Sequence, residues 1–178
     1  MKKILLGVTG SIAAYKAGDI IRRLQEKNCD VTVIMTKEAE RFISALTLAS
    51  LSGHKVYREM FEENDSAWHM NHIQLAKEAR VFVIAPATAN IIGKLACGIA
   101  DDLMTCIALA TQAKILIAPA MNDDMYKNRI VHDNCKRLKD FGFKFVEPVK
   151  GKLACGVTGE GHLADVDDIV NAVLSLAK

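Results

Sequence analysis

Four short apolar runs set the limits on what this chain can become: KILLGVT (3–9), DVTVIMT (30–36), VFVIAPA (81–87) and KILIAPA (114–120). Each is rich in Ile, Val and Leu and shows little alternation with polar residues. That is the pattern of strands buried on both faces, which a parallel sheet covered by helices on each side requires. KFVEPV (144–149) is a weaker fifth run. Helical spacing fills the intervals. Ala13, Ala17, Ile20, Ile21 and Leu24 mark one stripe, and Phe42, Ile43 and Leu46 a second. Val131, Cys135 and Leu138 mark a third, ended by Gly142. Val166, Ile169, Val170, Val173, Leu174 and Ala177 mark the last, with Asp165, Asp167 and Asp168 at its start, where the helix dipole favours negative charge. Strand alternating with helix predicts an α/β class, a doubly wound parallel sheet between two helical layers.

The chain has 178 residues, 51% of them hydrophobic, which predicts one domain over 1–178 with a core of ordinary size. Its 23 basic and 21 acidic residues leave a net charge of +2, so no electrostatic footprint for nucleic acid or an anionic membrane is expected. No apolar stretch is long enough to span a bilayer, and the opening MKKILLGVTGS reads as a first strand, not a signal peptide. Five cysteines with no Cys-x-x-Cys argue against a disulfide framework or a zinc knuckle, and free thiols point to the cytoplasm. The stretch 52–71 is polar and irregular, an excursion over the active face. FISALTLASLSG (42–53) reads equally as an interface or as core.

Four motifs can carry chemistry. GVTGSIAAYK (7–16) runs a strand through a Gly-x-x-Gly-Ser turn into a helix, either an anion cradle for a phosphate-bearing cofactor or a turn that packs a helix on a sheet. IAPATAN (84–90) and IAPAMND (117–123) both break at proline after a buried strand. In an open α/β sheet, ligands sit beyond such carboxyl ends. Two Ala-Pro-Ala ends would make a smooth wall for a flat apolar ring, with Thr88, Asn90 and Asn122 as its placed polar groups; ordinary turn chemistry is the alternative. HMNHIQL (69–75) sets His69 and His72 at i, i+3, a spacing open to a metal pair, a titrating base or simple surface residues. KLACGVTGEGH (152–162) places Cys155 among Gly156, Gly159 and Gly161, in a segment expected to be flexible. The hexapeptide GKLACG occurs there and also at 93–98, where Cys97, like Cys106, is expected only to pack.

Together GSIAAYK, HIQL, PATANIIGKLACGIADDL, PAMNDDMY and KLACGVTGEG stand in the order and spacing of one family, which the whole chain resembles. It is the homo-oligomeric, flavin-containing cysteine decarboxylases, and the KLACG segment is similar to their small-molecule branch. The resemblance implies a Rossmann-like, flavodoxin-like fold in three α/β/α layers and bound FMN. Gly10, Ser11 and Ile12 match the family's phosphate-proximal loop; Thr36, the segment Thr88, Ala89, Asn90 and Ile91, and Ala120 match further FMN contacts. His72 matches the active-site histidine and Cys155 the catalytic cysteine. Asn122 matches the residue that holds the substrate carboxylate, and Lys152, Leu153 and Ala154 the flap over the substrate.

The activity the resemblance implies is decarboxylation of 4'-phospho-N-pantothenoylcysteine to 4'-phosphopantetheine in coenzyme A synthesis. FMN takes the cysteine end to a thioaldehyde, CO2 leaves to give an enethiol, and reduced FMN returns the electrons. It also implies trimers, alone or stacked as dodecamers, with FMN between subunits. A ligase fused to many bacterial relatives has no room in 178 residues. Glu78, Ala79 and Arg80 stand where Trp-Ala-Asp is common, Tyr126 where Trp is common, and GHLAD (161–165) departs as well. These changes flank the matched residues and bear on substrate packing. Rival readings are a peptidyl-cysteine decarboxylase of the lantibiotic type, a non-catalytic interaction subunit, which would carry long acidic extensions, and a nicotinamide dehydrogenase. The last wants an acidic residue at the end of the second strand, which here reads Met35-Thr36-Lys37.

Overall fold

The computed structural model describes residues 1–60, 71–152 and 158–178. In chain order the elements are β1 (Lys2–Val8), α1 (Ala17–Glu26), β2 (Cys29–Met35), α2 (Ala45–Ser52), β3 (Val56–Tyr57), α3 (Asn71–Glu78), β4 (Val81–Ala87) and α4 (Ala89–Cys97). There follow α5 (Leu103–Ala110), β5 (Lys114–Pro119), α6 (Asp123–Lys127), α7 (Arg129–Asp140), β6 (Lys144–Phe145), β7 (Val149–Lys152), β8 (Thr158–His162) and α8 (Val166–Leu176). Six strands form one parallel sheet in the order β3-β2-β1-β4-β5-β6. The chain winds outward from β1 to β3, then restarts beside β1 with β4, so the topological switch lies between β1 and β4.

The continuous apolar runs have the expected cause. Ile4, Leu6 and Val8 of β1 and Val81, Val83 and Ala85 of β4 face a core closed by α1, α2 and α8. Leu5, Phe82, Ile84, Ile115 and Ile117 face a second core, closed by α3, α4, α5 and α7. Both faces of the central strands are therefore dry, and each strand needs apolar residues at every position. The result is the three-layer α/β/α fold.

Local readings change in five places. Ala13 belongs to a 3₁₀ turn, Ile12–Lys16, and α1 proper begins at Ala17. The Phe42, Ile43 and Leu46 stripe is not a helical face. Helix α2 starts at Ala45 behind the Ser44 cap, Leu48 is its buried anchor, and Phe42 and Leu46 are 46% and 76% exposed. The expected excursion contains the short edge strand β3, while residues 61–70, with His69, lie outside the described residues. The fifth run supplies only Lys144–Phe145 to the sheet, because Val149 starts a separate antiparallel hairpin, β7–β8. Gly159 and Gly161 therefore stand in a paired strand, not in a flexible segment. Helix α7 ends as expected before Gly142, at φ +93°. In α8, Ile169, Val170 and Val173 are buried and Asp167 pairs with Arg23 of α1.

Candidate functional site

A cavity of about 880 Å³ opens at the carboxyl ends of β1, β2, β4 and β5, over the topological switch. Each strand delivers one small or hydroxylated residue to it: Thr9 after β1, Thr36 after β2, Thr88 after β4 and Ala120 after β5. Thr9 ties the first and third of these together. Its Oγ1 donates to the Pro86 carbonyl at 2.6 Å and accepts from the Thr88 N–H at 3.1 Å. With Thr9 only 1% exposed, these two bonds fix the β1–β4 seam from inside.

Two turns give the cavity its polar floor. Ser11 caps the 3₁₀ turn by accepting from the Ala13 N–H at 3.3 Å. Gly10 is obligatory there, because a Cβ would lie 2.5 Å from Glu38 Cβ. Thr88 caps α4, accepting from the Ile91 N–H at 3.4 Å, so the N-terminus of this nine-residue helix borders the cavity. Thr36 Oγ1 is buried and has no hydrogen-bond partner among the described residues. A buried hydroxyl of this kind calls for a polar ligand atom. Ala89, Ala120, Ile91 and Leu163 provide the apolar wall.

Charged groups stand around this wall. Lys16 Nζ lies 3.3 Å from His162 Nε2, across the mouth from β8. Lys94 Nζ bridges Asp101 Oδ1 at 2.8 Å and Asp102 Oδ2 at 3.0 Å. Asp102 also caps α5 in a reciprocal box with Thr105. Burial alone would raise the Asp102 carboxyl, but bonds from the Thr105 N–H, Lys94 and the Thr105 hydroxyl outweigh it and hold the group below the usual aspartate range. Asn122 caps α6, its Oδ1 accepting from the Asp124 and Met125 N–H groups at 2.9 and 3.3 Å.

Gly10, Ser11, Ile12, Thr36, Thr88, Ala89, Asn90, Ile91, Ala120 and Asn122 all line this one cavity, although they come from four separate segments. His72 does not line it. It stands on α3, which packs against α5 in the same helical layer as α4. Cys155, Leu153 and Ala154 lie outside the described residues, as does the Lys152 side chain. Cys97 was expected to pack; it is exposed at the carboxyl end of α4, because the buried face of that helix is formed by Ile91, Ile92, Leu95 and Ala96. Cys106 is half-buried, and burial, with Asp102 and Asp101 nearby, pushes its thiol up. Among the described residues no cluster of His, Cys, Asp or Glu could hold a metal, and no helix is long and apolar enough to cross a membrane.

Several cavity residues carry no local signal in the sequence. Glu38 lies outside every motif, while Lys16, Lys94, Asp102 and His162 stand inside the motifs but are not the residues those motifs single out. Met121 and Met125 flank the Asn122 motif and become visible only once that motif is placed on a strand end.

Comparison with known proteins gives the chain its family. The family model described as Flavoprotein matches residues 1–178, and the chain belongs to that family. It is 47% identical over 174 residues to the probable phosphopantothenoylcysteine decarboxylase of Streptococcus mutans, covering 97% of each chain. It is 46% identical to the coenzyme A biosynthesis bifunctional protein CoaBC of Bacillus subtilis, of which it spans only 41%. Among solved structures, a Cys-to-Ser variant of PPC decarboxylase complexed with pantothenoylaminoethenethiol superposes with a TM-score of 0.86 at 32% identity, covering 98% of this chain and 97% of that one. The FMN-dependent cysteine decarboxylase SpaF superposes with a TM-score of 0.85 at 30% identity, covering 100% and 98%.

Proposed function

We propose that this chain is an FMN-dependent carboxy-lyase that converts 4'-phospho-N-pantothenoylcysteine to 4'-phosphopantetheine. The observation that carries this reading is the likeness to a phosphopantothenoylcysteine decarboxylase along 97% of both chains. The cavity suits the cofactor: small walls admit a flat ring, the Gly10–Ser11 turn and the α4 N-terminus suit a phosphate, and Thr36 Oγ1 awaits a polar atom.

FMN held there would supply a two-electron acceptor that gives its electrons back within the same turnover, so the substrate's CH2–SH end would pass through a thioaldehyde and an enethiol with no net redox change. The chain's own residues do the rest. Ala89 and Ala120 leave room for the ring, while Thr9 and Thr88 hold the strand ends that frame it. Asn122, whose amide oxygen caps α6, holds the substrate carboxylate for departure as CO2. Cys155 delivers a proton to carbon as the enethiol is reduced, and Lys152, Leu153 and Ala154 cover the substrate.

His72 handles the thiol proton in the oxidative step. Its position away from its own chain's cavity supports a trimer-based assembly in which it serves the cavity of a neighbouring copy, with FMN between subunits. The cytoplasm, where the thiols stay reduced, is the proposed setting.

The test is CO2 release by the purified yellow protein from phosphopantothenoylcysteine, set against a peptide ending in cysteine. Turnover of the small substrate, with Cys155→Ser still releasing CO2 but accumulating the enethiol, is the expected result. Turnover of the peptide alone would move the chain to the lantibiotic type. Absence of a flavin absorption band would sink the reading altogether.

A further inference from the structure

Helix α6 has five residues and none of them is buried, yet the segment supplies Met121, Asn122 and Met125 to the cavity wall. A helix this short does not hold itself in place. It is restrained by the Tyr126 hydroxyl, which donates to Glu147 Oε2 at 2.7 Å, and by strand β8. The Met121 N–H donates to the Gly161 carbonyl at 3.0 Å. Asp123 Oδ1 accepts from the Glu160 N–H at 2.8 Å, while Asp123 Oδ2 receives Lys127 Nζ at 2.8 Å. The approach is so close that only glycine fits on the strand side. A Cβ at Gly159 would lie 2.6 Å from Asp123 Cγ, and one at Gly161, where φ is +132°, would lie 2.4 Å from the Met121 carbonyl oxygen.

Strand β8 and the turn after it supply the facing wall through Gly161, His162 and Leu163. Asp123 therefore stands behind the seam between the two walls without lining the cavity itself. Met121 can bond Gly161 whatever occupies position 123. The Asp123–Glu160 bond joins α6 to β8 through a side chain, and it is charge-assisted.

We propose that Asp123 is a positioning residue for the reaction. Its carboxylate latches α6 to β8 and so fixes Asn122 relative to the Gly161–His162 edge of the cavity. The proposal rests on the reading of Asn122 as the group that holds the substrate carboxylate. The competing role for Asp123 is a helix pair with Lys127 four residues on, which would act through the ammonium and not through Glu160.

Three variants of the FMN-loaded protein separate these roles. Asp123→Ala removes the acceptor. Asp123→Asn keeps an oxygen for the Glu160 N–H but loses the ion pair, and Lys127→Met loses the ion pair from the other side. KM and kcat for phosphopantothenoylcysteine are measured beside hydrogen exchange at the Glu160 amide. Asp123→Ala is expected to raise KM about tenfold, with a smaller change in kcat, and to speed Glu160 exchange by a similar factor. Asp123→Asn and Lys127→Met are expected to stay within about twofold of the parent in both readouts. Unchanged exchange in Asp123→Ala overturns the latch. So does faster exchange with an unchanged KM, or an Asp123→Asn or Lys127→Met variant as impaired as Asp123→Ala. If exchange accelerates as expected but the parent protein does not turn over this substrate, the latch stands and the substrate reading falls.

Discussion

Two strand ends in this protein are spelled almost alike, Ile-Ala-Pro-Ala-Thr-Ala-Asn at 84–90 and Ile-Ala-Pro-Ala-Met-Asn-Asp at 117–123, and they do opposite things. The first is internal. Ala85–Pro86 is cis, Ala87 is buried, and Thr9 bonds to both sides of the turn. The chain then enters α4, whose Ile91, Ile92, Leu95 and Ala96 anchor it in the core. The second end leaves the sheet for α6, which has no buried residue and is held from outside, by β8 and by Tyr126 donating to Glu147 Oε2 at 2.7 Å. One end is framework, and the other presents a cavity-lining side chain, Asn122, on an externally held mount. Four shared letters do not decide the matter; the residues that follow and the neighbours they meet do.

That contrast fixes where damage should appear. Asn122→Ala should lower kcat/KM by about a hundredfold through lost substrate placement, while stability falls only about 1 kcal/mol from the lost cap. On the proposed assembly, co-expression with His72→Asn should restore part of its activity, because a cavity shared between copies would take an intact Asn122 from one and an intact His72 from another. No recovery would remove the cross-subunit role of His72. Thr9→Val should behave in the reverse sense. It leaves the Pro86 carbonyl and the Thr88 N–H unpaired in the core and should cost about 2 kcal/mol, a drop of roughly 6 °C in Tm by calorimetry. A Thr9→Val protein as stable as the parent would erase the distinction between framework and mount.

The smallest expected effect lies at the far end of α4, where Lys94 reaches Asp102. The Asp102 carboxyl is held below its ordinary value, so the stability it contributes is full above the unfolded aspartate range, about pH 4, and is lost as pH falls through the lower folded value. Asp102→Asn should therefore flatten the acid limb of the stability curve and leave the neutral limb parallel to the parent's. An unchanged acid limb would deny the carboxylate this role.

The central sheet was legible because its cause is local. A strand covered on both faces must be apolar where it is buried, and β1, β2, β4 and β5 are. Lys2, Lys3 and Lys114 are exposed at strand starts, and Asp30 and Thr32 are only half-buried. Edge strand β3 escaped notice because two residues, Val56 and Tyr57, make no pattern. The β7–β8 hairpin escaped for a different reason: its glycines look like mobility in a one-dimensional reading, but at 159 and 161 they answer the close approach of α6. Phe42 and Leu46 misled because helical spacing occurs by chance in an apolar stretch, and burial, which spacing is meant to report, is missing at both. The cavity divides in the same way. Residues next to glycine, proline or strand ends could be read from the chain, whereas the meeting of Lys16 with His162 depends on a contact made across a long sequence distance.

The lining of the cavity begins at Thr9 and is not complete until Leu163. During synthesis, then, a ribosome must deliver nearly all of the chain described here before any ligand meets a finished site. A cofactor thus finds its full lining only after residues from β1 through the turn after β8 have been made and brought together.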